Sequence, residues 1–373
     1  IFLVLFVIFL YIFKNLSIPE ISSIHYFLFF IVFHAIISHL FNPTPETAVA
    51  MRTIIFTLIV SIALYFSLIY LKSINIFCIS FIIGIIPSFI MNLFVQEFNE
   101  FGVLQRSDGT LGNANFFAIM AIISLLFYYY YKTNIKYSIM SNLLFYSFYL
   151  LCIYNIMLSG SKTGFLLLFL FSLLYLLRNI FESKMALIII FFIFFIFSFI
   201  SINIDFINFL GPTFLNSVTF IRFEDIFYLF TDTNSHISSS DALRVDMIMY
   251  GWDNWSKYPL FGHGFNAYAI MSGFGHYSHF NFIDIIYNMG LIGVALYYLM
   301  YYRLFKGLKN IHKNKIINMH FIISLFFVIV MAEISIVMIN DKIFYMIFTA
   351  LFAFIKINEN NMKMNGVNKT LNE

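Results

Sequence analysis

The chain has 373 residues, 61% of them hydrophobic and only 10% charged, with 52 Phe, 24 Tyr and a formal charge of +3 at pH 7. Soluble domains carry about a quarter charged residues, so an ordinary globular protein is excluded and the bilayer becomes the natural solvent. The charge is too small for nucleic-acid binding, and the absence of strand-like alternation disfavours an outer-membrane barrel.

The sequence begins Ile1-Phe2-Leu3 without an initiator methionine, so a further N-terminal piece is expected. Apolar runs of about 20 residues then recur along the chain. They predict an all-α, polytopic integral membrane protein with eleven spans in this chain, and about twelve with the missing piece. The spans are expected at 1–13, 22–40, 53–71, 74–95, 116–131, 137–158, 164–178, 185–202, 282–302, 318–339 and 343–357. Gly84 and Pro87 interrupt the fourth, a kink that a bundle tolerates. The fifth closes on Tyr128-Tyr129-Tyr130-Tyr131-Lys132, an aromatic belt followed by a cation. Cys78 and Cys152 lie inside apolar runs and form no CxxC. The organisation is therefore eight spans over 1–202, one large external loop over 203–281, three spans over 282–357 and a cytoplasmic tail over 358–373. No internal repeat is evident.

Orientation follows from the basic residues, which favour cytoplasmic loops. The densest basic loop holds Arg303, Lys306, Lys309, Lys313 and Lys315 and is placed inside. Alternating from it leaves Arg52, Arg106, Lys162, Arg222, Arg244, Lys257 and Lys342 outside, a third of the 21 Lys and Arg.

Three polar constellations fall on that outer side. They are "QRSDGTLGNANFFA" at 105–118, "LSGSKTGF" at 158–165, and the long loop with Arg244 and "GHYSHFNF" at 275–282. Taken singly each has an ordinary reading, in which Gly109, Gly112 and Asn113 make turns and Lys162 snorkels to the interface. Together they put a basic residue at every turn on the side where basic residues are scarce. Arg106, Lys162 and Arg244 could neutralise a lipid-linked diphosphate without a metal, through a planar guanidinium fork and a compact ammonium. His276 and His279, at i, i+3 spacing, form a weaker alternative as a metal site with His263 or Asp284. "GHGFNA" at 262–267 lacks the strand–turn–helix of a dinucleotide fingerprint, and no GxxxxGK[ST] is present. Arg244, Met247, Ile248, Gly251, Trp252 and Trp255 share one helical face, suited to lying on the membrane. Gly290 and Gly293 are expected to let the ninth span pack closely on a neighbour.

In this order the motifs resemble those of the O-antigen polymerase and O-antigen ligase superfamily. Arg106-Ser-Asp-Gly109-Thr110-Leu-Gly112-Asn113-Ala-Asn115 is similar to its "RxxGTxGNPNxxA", with Ala114 in place of proline. Ser159-Gly-Ser161-Lys162, followed by Leu166, is similar to its "SxSR", with lysine for arginine. Arg244, Trp252 and Pro259-Leu-Phe-Gly262-His-Gly264 follow the order of its long external loop. His279 stands at the family's distance before Gly290-Leu-Ile-Gly293, with Phe280 at a position that is polar in the family and Asn281 next to it.

The resemblance implies an inverting, metal-independent glycosyltransferase with no cofactor, on the external face of a bacterial cytoplasmic membrane. Its partners would be an undecaprenyl-diphosphate-linked oligosaccharide, membrane lipid and a chain-length regulator protein, with no nucleic acid. Arg106, Lys162 and Arg244 would hold the diphosphate, and His279 would act as base or bind the leaving phosphate. Asn113, Asn115, Ser161, Asn281 and Asp284 would support them. Polymerisation of repeat units into a surface polysaccharide is the favoured activity. Ligation of a finished glycan to lipid A core is the alternative within the family, and a lipid-linked oligosaccharide flippase is the alternative class. A transporter should show repeated halves and mid-helix charges, of which Glu333 is the clearest here. The orientation is open to a direct check. Single cysteines near 108 and 240 should react with an impermeant maleimide in intact cells and one near 310 should not; labelling at 310 would invert the topology.

Overall fold

A computed structural model describes residues 20–94, 110–133, 139–177, 239–314 and 317–370. The expected spans at 1–13 and 185–202, the loop up to 238, and Arg106 lie outside the described residues. Every other expected span coincides with a helix. These are α1 (Ser23–Phe41), α2 (Pro45–Leu71), α3 (Asn75–Phe94), α4 (Ala114–Thr133), α5 (Ile139–Ser159) and α6 (Lys162–Leu177). After the long loop come α7 (Ser239–Trp255), α8 (Ala267–Met271), α9 (Asn281–Lys313), α10 (Met319–Ser335) and α11 (Lys342–Thr370). Seven of them are long and apolar enough to cross a membrane, and α6 and α10 are shorter apolar helices. The chain is thus an all-helical, polytopic membrane protein. Helix α2 begins well before the apolar run at 53, because Pro45 stands at its first turn and Thr44 and Thr47 cap each other's backbone N–H at 3.0 and 3.2 Å. Helix α11 likewise runs on past 357.

The described helices divide into two compact units. In one, α4 is buried on nearly all sides and packs against α5 and α6. Gly164 allows that approach, since a Cβ there would lie 2.5 Å from Ala118 Cβ. Polar side chains join helices where lipid offers no hydrophobic drive: Asn92 Nδ2 donates to Asn155 Oδ1 at 3.1 Å, and the Tyr149 and Ser172 hydroxyls bond each other. In the other unit, α2 packs on α1 and α11, tied by Ser61 and Thr349 hydroxyls 2.6 Å apart. Gly307 brings α9 against Ile355 of α11 in the same way.

The departure from a plain bundle is in α9. Gly290 has φ 63° and ψ −165°, so the ninth span is two helical halves, 281–289 and 291–313, set across a break. A break orphans carbonyls before it and N–H groups after it. The segment 259–264 supplies partners for both. His263 N–H donates to Tyr287 O at 2.8 Å and Gly264 N–H to Asn288 O at 3.0 Å. In return Leu291 N–H donates to Pro259 O at 2.9 Å and Ile292 N–H to Leu260 O at 3.2 Å. Two backbones can lie this close only over glycine. A Cβ on Gly290 would sit 2.4 Å from Leu260 O, and one on Gly262 2.4 Å from Asn288 C. The expectation that Gly290 and Gly293 serve packing on a neighbouring helix is therefore corrected: Gly290 makes the break, and a Cβ on Gly293 would meet Met289 across it.

Gly290→Ala should lower thermal stability markedly in detergent, by the roughly 1–3 kcal/mol of a forbidden backbone conformation and the clash besides. Gly84→Ala, with nothing within 4 Å of the added Cβ, should be neutral or slightly stabilising. Equal unfolding temperatures for the two variants would mean the seam is not tight.

Candidate functional site

His279 sits on the turn that leads into α9, and its geometry is set by its neighbours. Ser278 is fully buried. Its N–H donates to Asp284 Oδ2 at 2.8 Å, and its hydroxyl reaches both that oxygen and Phe280 O. Asn288 Nδ2 approaches the other Asp284 oxygen at 3.5 Å. The chain is thereby wound back on a carboxylate one turn inside its own helix. His279 is left half-buried with φ 60°, a left-handed conformation that costs a non-glycine residue about 1–3 kcal/mol. Its ring stands edge-on to Tyr277 with centroids 4.7 Å apart. Burial, then the Arg244 charge, then His276 lower its pKa to about 4, so the imidazole is neutral near pH 7.

Arg244 lies on α7, half-buried. Helix α7 is seated by Met247, which is buried with Ala267, Tyr268, Ile283 and Tyr287. The Tyr268 hydroxyl donates to Met247 O at 2.6 Å, and a Cβ on Gly251 would lie 2.3 Å from Ile283 Cγ2. This corrects the expected membrane-facing side of α7: Met247, Ile248 and Gly251 turn onto the protein, while Trp252 stays exposed beside Trp255.

Asn281, at the first turn of α9, is a knot. Its Nδ2 donates to Glu333 Oε2 at 2.8 Å and approaches Tyr297 Oη at 2.9 Å, while its Oδ1 accepts from Ile339 N–H at 3.1 Å. The Tyr297 and Tyr301 hydroxyls each donate to Glu333 Oε1 at 2.6 Å. Sequence reasoning named Asn281 and Glu333 separately but did not join them or point to Tyr297 and Tyr301. The cluster's signal was a lone carboxyl in an apolar run and two tyrosines one helical turn apart on α9. It also did not reach His34 and Ser38 of α1, which hold the 259–265 segment through Phe261 O at 2.8 Å and Phe265 N–H at 2.7 Å.

The remaining expected residues belong to the unit of α4 to α6. Asn113 Oδ1 accepts from Asn115 and Phe116 N–H at 2.9 and 3.1 Å, which caps α4. Ser161 Oγ accepts from Gly164 N–H at 3.1 Å, capping α6, and donates to Asn115 Oδ1 at 2.8 Å. The two helix starts are thus joined, and Lys162 is the first residue of α6. The structure brings Arg244, His279, Asn281 and Asp284 into one unit, and Asn113, Asn115, Ser161 and Lys162 into the other. The partners named for a metal are otherwise engaged. His263 stacks on Tyr287 with centroids 4.2 Å apart and bonds Asn254 O at 3.0 Å, and Asp284 is held by Ser278. Among the described residues no three His, Cys, Asp or Glu come together as a metal set.

The family model described as O-antigen ligase matches residues 147–298. The match supports the resemblance to the O-antigen polymerase and ligase superfamily over that segment. The superfamily is a glycosyltransferase-like group whose substrates are lipid-linked glycans in the membrane. No curated protein matches the chain. Within the O-antigen ligase match fall Lys162, Arg244, His279, Asn281 and Asp284, together with both glycines of the helix break. Arg106, Asn113 and Asn115 precede it, and Glu333 follows it.

Asn281→Leu removes a donor to Glu333 and the acceptor for Ile339 N–H, both buried residues, at a cost of roughly 1–3 kcal/mol per orphaned group. The variant should unfold at a clearly lower temperature in detergent. Tyr301→Phe, which leaves Glu333 two of its donors, should lose less. The reverse order would show that Asn281 is not the centre of the knot.

Proposed function

We propose that the chain joins glycans on the outer face of the bacterial cytoplasmic membrane, using a sugar donor held on undecaprenyl diphosphate. The observation that carries this reading is His279. It is a neutral, half-buried imidazole held in a left-handed turn under the influence of Arg244, inside the segment matched by the O-antigen ligase family.

In this reading an acceptor hydroxyl gives its proton to His279 as its oxygen attacks the anomeric carbon. The new glycosidic C–O bond forms on the face opposite the breaking bond, which inverts the centre. The bond to the diphosphate breaks and undecaprenyl diphosphate leaves with the electron pair. Arg244, Lys162 and Arg106 are proposed to meet the developing charge, an assignment supported by residue type and by the motifs they occupy. No cofactor takes part. Asn113, Asn115 and Ser161 act by holding the helix starts beside Lys162, and Asp284 and Asn281 by fixing the His279 turn.

Polymerisation of repeat units, with a chain-length regulator as partner, is the activity we favour. The description of the matched family favours a second reading, transfer of a finished glycan to a lipid A core acceptor. A deletion strain separates them: a polymerase mutant retains single repeat units on its surface, and a ligase mutant accumulates unattached long chains.

His279→Ala should lose about a hundredfold or more in turnover of lipid-linked repeat units, the contribution of a general base, while His276→Ala loses far less and EDTA has no effect. The acidic limb of kcat/KM should lie near the folded pKa of about 4, below the ordinary histidine value of 6.5. Arg244→Gln removes a charge that lowers this pKa, so in that variant the limb should move up. Full activity in His279→Ala, or an unmoved limb in Arg244→Gln, would remove the base assignment.

A further inference from the structure

We propose that the cavity beside Tyr277 is a saccharide-binding subsite that receives the acceptor glycan; the acceptor role rests on the proposed function. The cavity measures about 530 Å³, within the range of small-molecule sites, and its walls come from a single unit. One wall is the start of α2, where Val49, Ala50 and Thr53 present a mostly apolar surface. The lining also includes Asn266 before α8, Tyr277 after it, and Asn340 and Lys342.

Three observations point to a sugar. The lining pairs apolar and aromatic surface with amide, hydroxyl and carboxylate groups, which is the complement of a ring with C–H faces and a hydroxyl edge. Asn266 is held at φ 63° at the start of α8, yet its side chain makes no capping bond there. Asparagine tolerates this conformation, and its side-chain amide, not used as a cap, counts among the polar groups lining the cavity. The charges on the lining are one acid, Glu46, and one cation, Lys342. That balance does not favour a diphosphate, whereas it suits an uncharged saccharide. The cavity also adjoins the proposed base, since the Tyr277 ring that lines it stands 4.7 Å from the His279 ring. An acceptor seated there would carry its hydroxyl toward His279, leaving the cationic groups to the donor.

Both native cysteines are buried, so Val49→Cys introduces a thiol that can be titrated with a maleimide in the full chain reconstituted in lipid vesicles. Two probes are compared: the free oligosaccharide released by mild acid from lipid-linked repeat units, and undecaprenyl diphosphate without sugar. The free saccharide cannot be a donor, because it has lost its leaving group. It should slow labelling about tenfold at ten times its Kd, by mass action, and undecaprenyl diphosphate should leave the rate unchanged. Ala50→Trp, which fills the cavity, should raise the concentration of free saccharide needed to inhibit turnover by the enzyme. Protection by undecaprenyl diphosphate, or no protection by a saccharide that does inhibit turnover, overturns the subsite; so does protection by neither probe. Turnover of lipid-linked repeat units by the unaltered chain is scored separately. Protection without turnover would retain the saccharide site and remove the proposed activity, and turnover without protection the reverse.

Discussion

The constraint on which the rest depends is that a helix broken at membrane depth must have its backbone groups satisfied by protein. Gly290 breaks α9, and the 259–264 segment answers with four backbone hydrogen bonds that run in both directions across the seam. Gly262 and Gly290 are two parts of one device, since each removes a Cβ that would strike the backbone of the opposite segment. The device in turn needs α1, whose His34 and Ser38 hold the same segment at Phe261 and Phe265. A half-helix of residues 281–289 results, pinned at its C-terminal end by the seam and at its N-terminal end by Asn281 and the Ser278–Asp284 turn.

That double pinning explains how His279 can be kept in a left-handed conformation and at a depressed pKa together. Both states cost free energy, and both persist because the surroundings over-determine them. The consequence for stability has a definite sign. With a folded pKa of about 4 against 6.5 unfolded, the unfolded chain binds more protons between those values. Stability from this group is intact above pH 6.5 and is lost as pH falls toward 4. Desolvation is the largest cause of the depression, so a ligand that brings negative charge to Arg244 would offset only the second cause.

Much of the fold was legible because membrane spans are written in composition: each apolar run that falls on described residues is a helix. The break in α9 was not legible. A GxxG in an apolar run is the usual sign of close helix packing, and only the partner segment, some thirty residues earlier in the chain, shows that Gly290 has positive φ. The site residues were named from motifs, and the structure shows what holds each of the described ones. His279 and Arg244 were named from motif order, and the Arg244 charge is the second cause of the lowered His279 pKa. Asn113, Asn115 and Ser161 were expected to support the cationic groups, and the structure uses them as helix caps and as a bridge between two helix starts. Asn and Ser serve either end with the same donors and acceptors, so residue type could not decide.

Glu333 shows why a charge in an apolar run has two meanings. As a transport site it would face a pathway and meet its cargo there. Here its carboxyl takes two tyrosine hydroxyls on one oxygen and the Asn281 amide on the other, and it is almost entirely buried. Such a group is satisfied by the protein itself, and its effect is to select one arrangement of the helices around it. Replacing the cluster with packed apolar side chains need not cost stability, because buried polar networks are weak stabilisers. What would be lost is register: Asn281 is held from Ile339 N–H and from Glu333 together, and apolar contacts would let α9 slide against the 336–341 segment. A slide there would move the turn that carries His279, two residues before Asn281, relative to Asn340 and Lys342, which line the cavity. The directional cluster thus fixes the register of the His279 turn against the segment that carries Asn340, which apolar packing would leave loose.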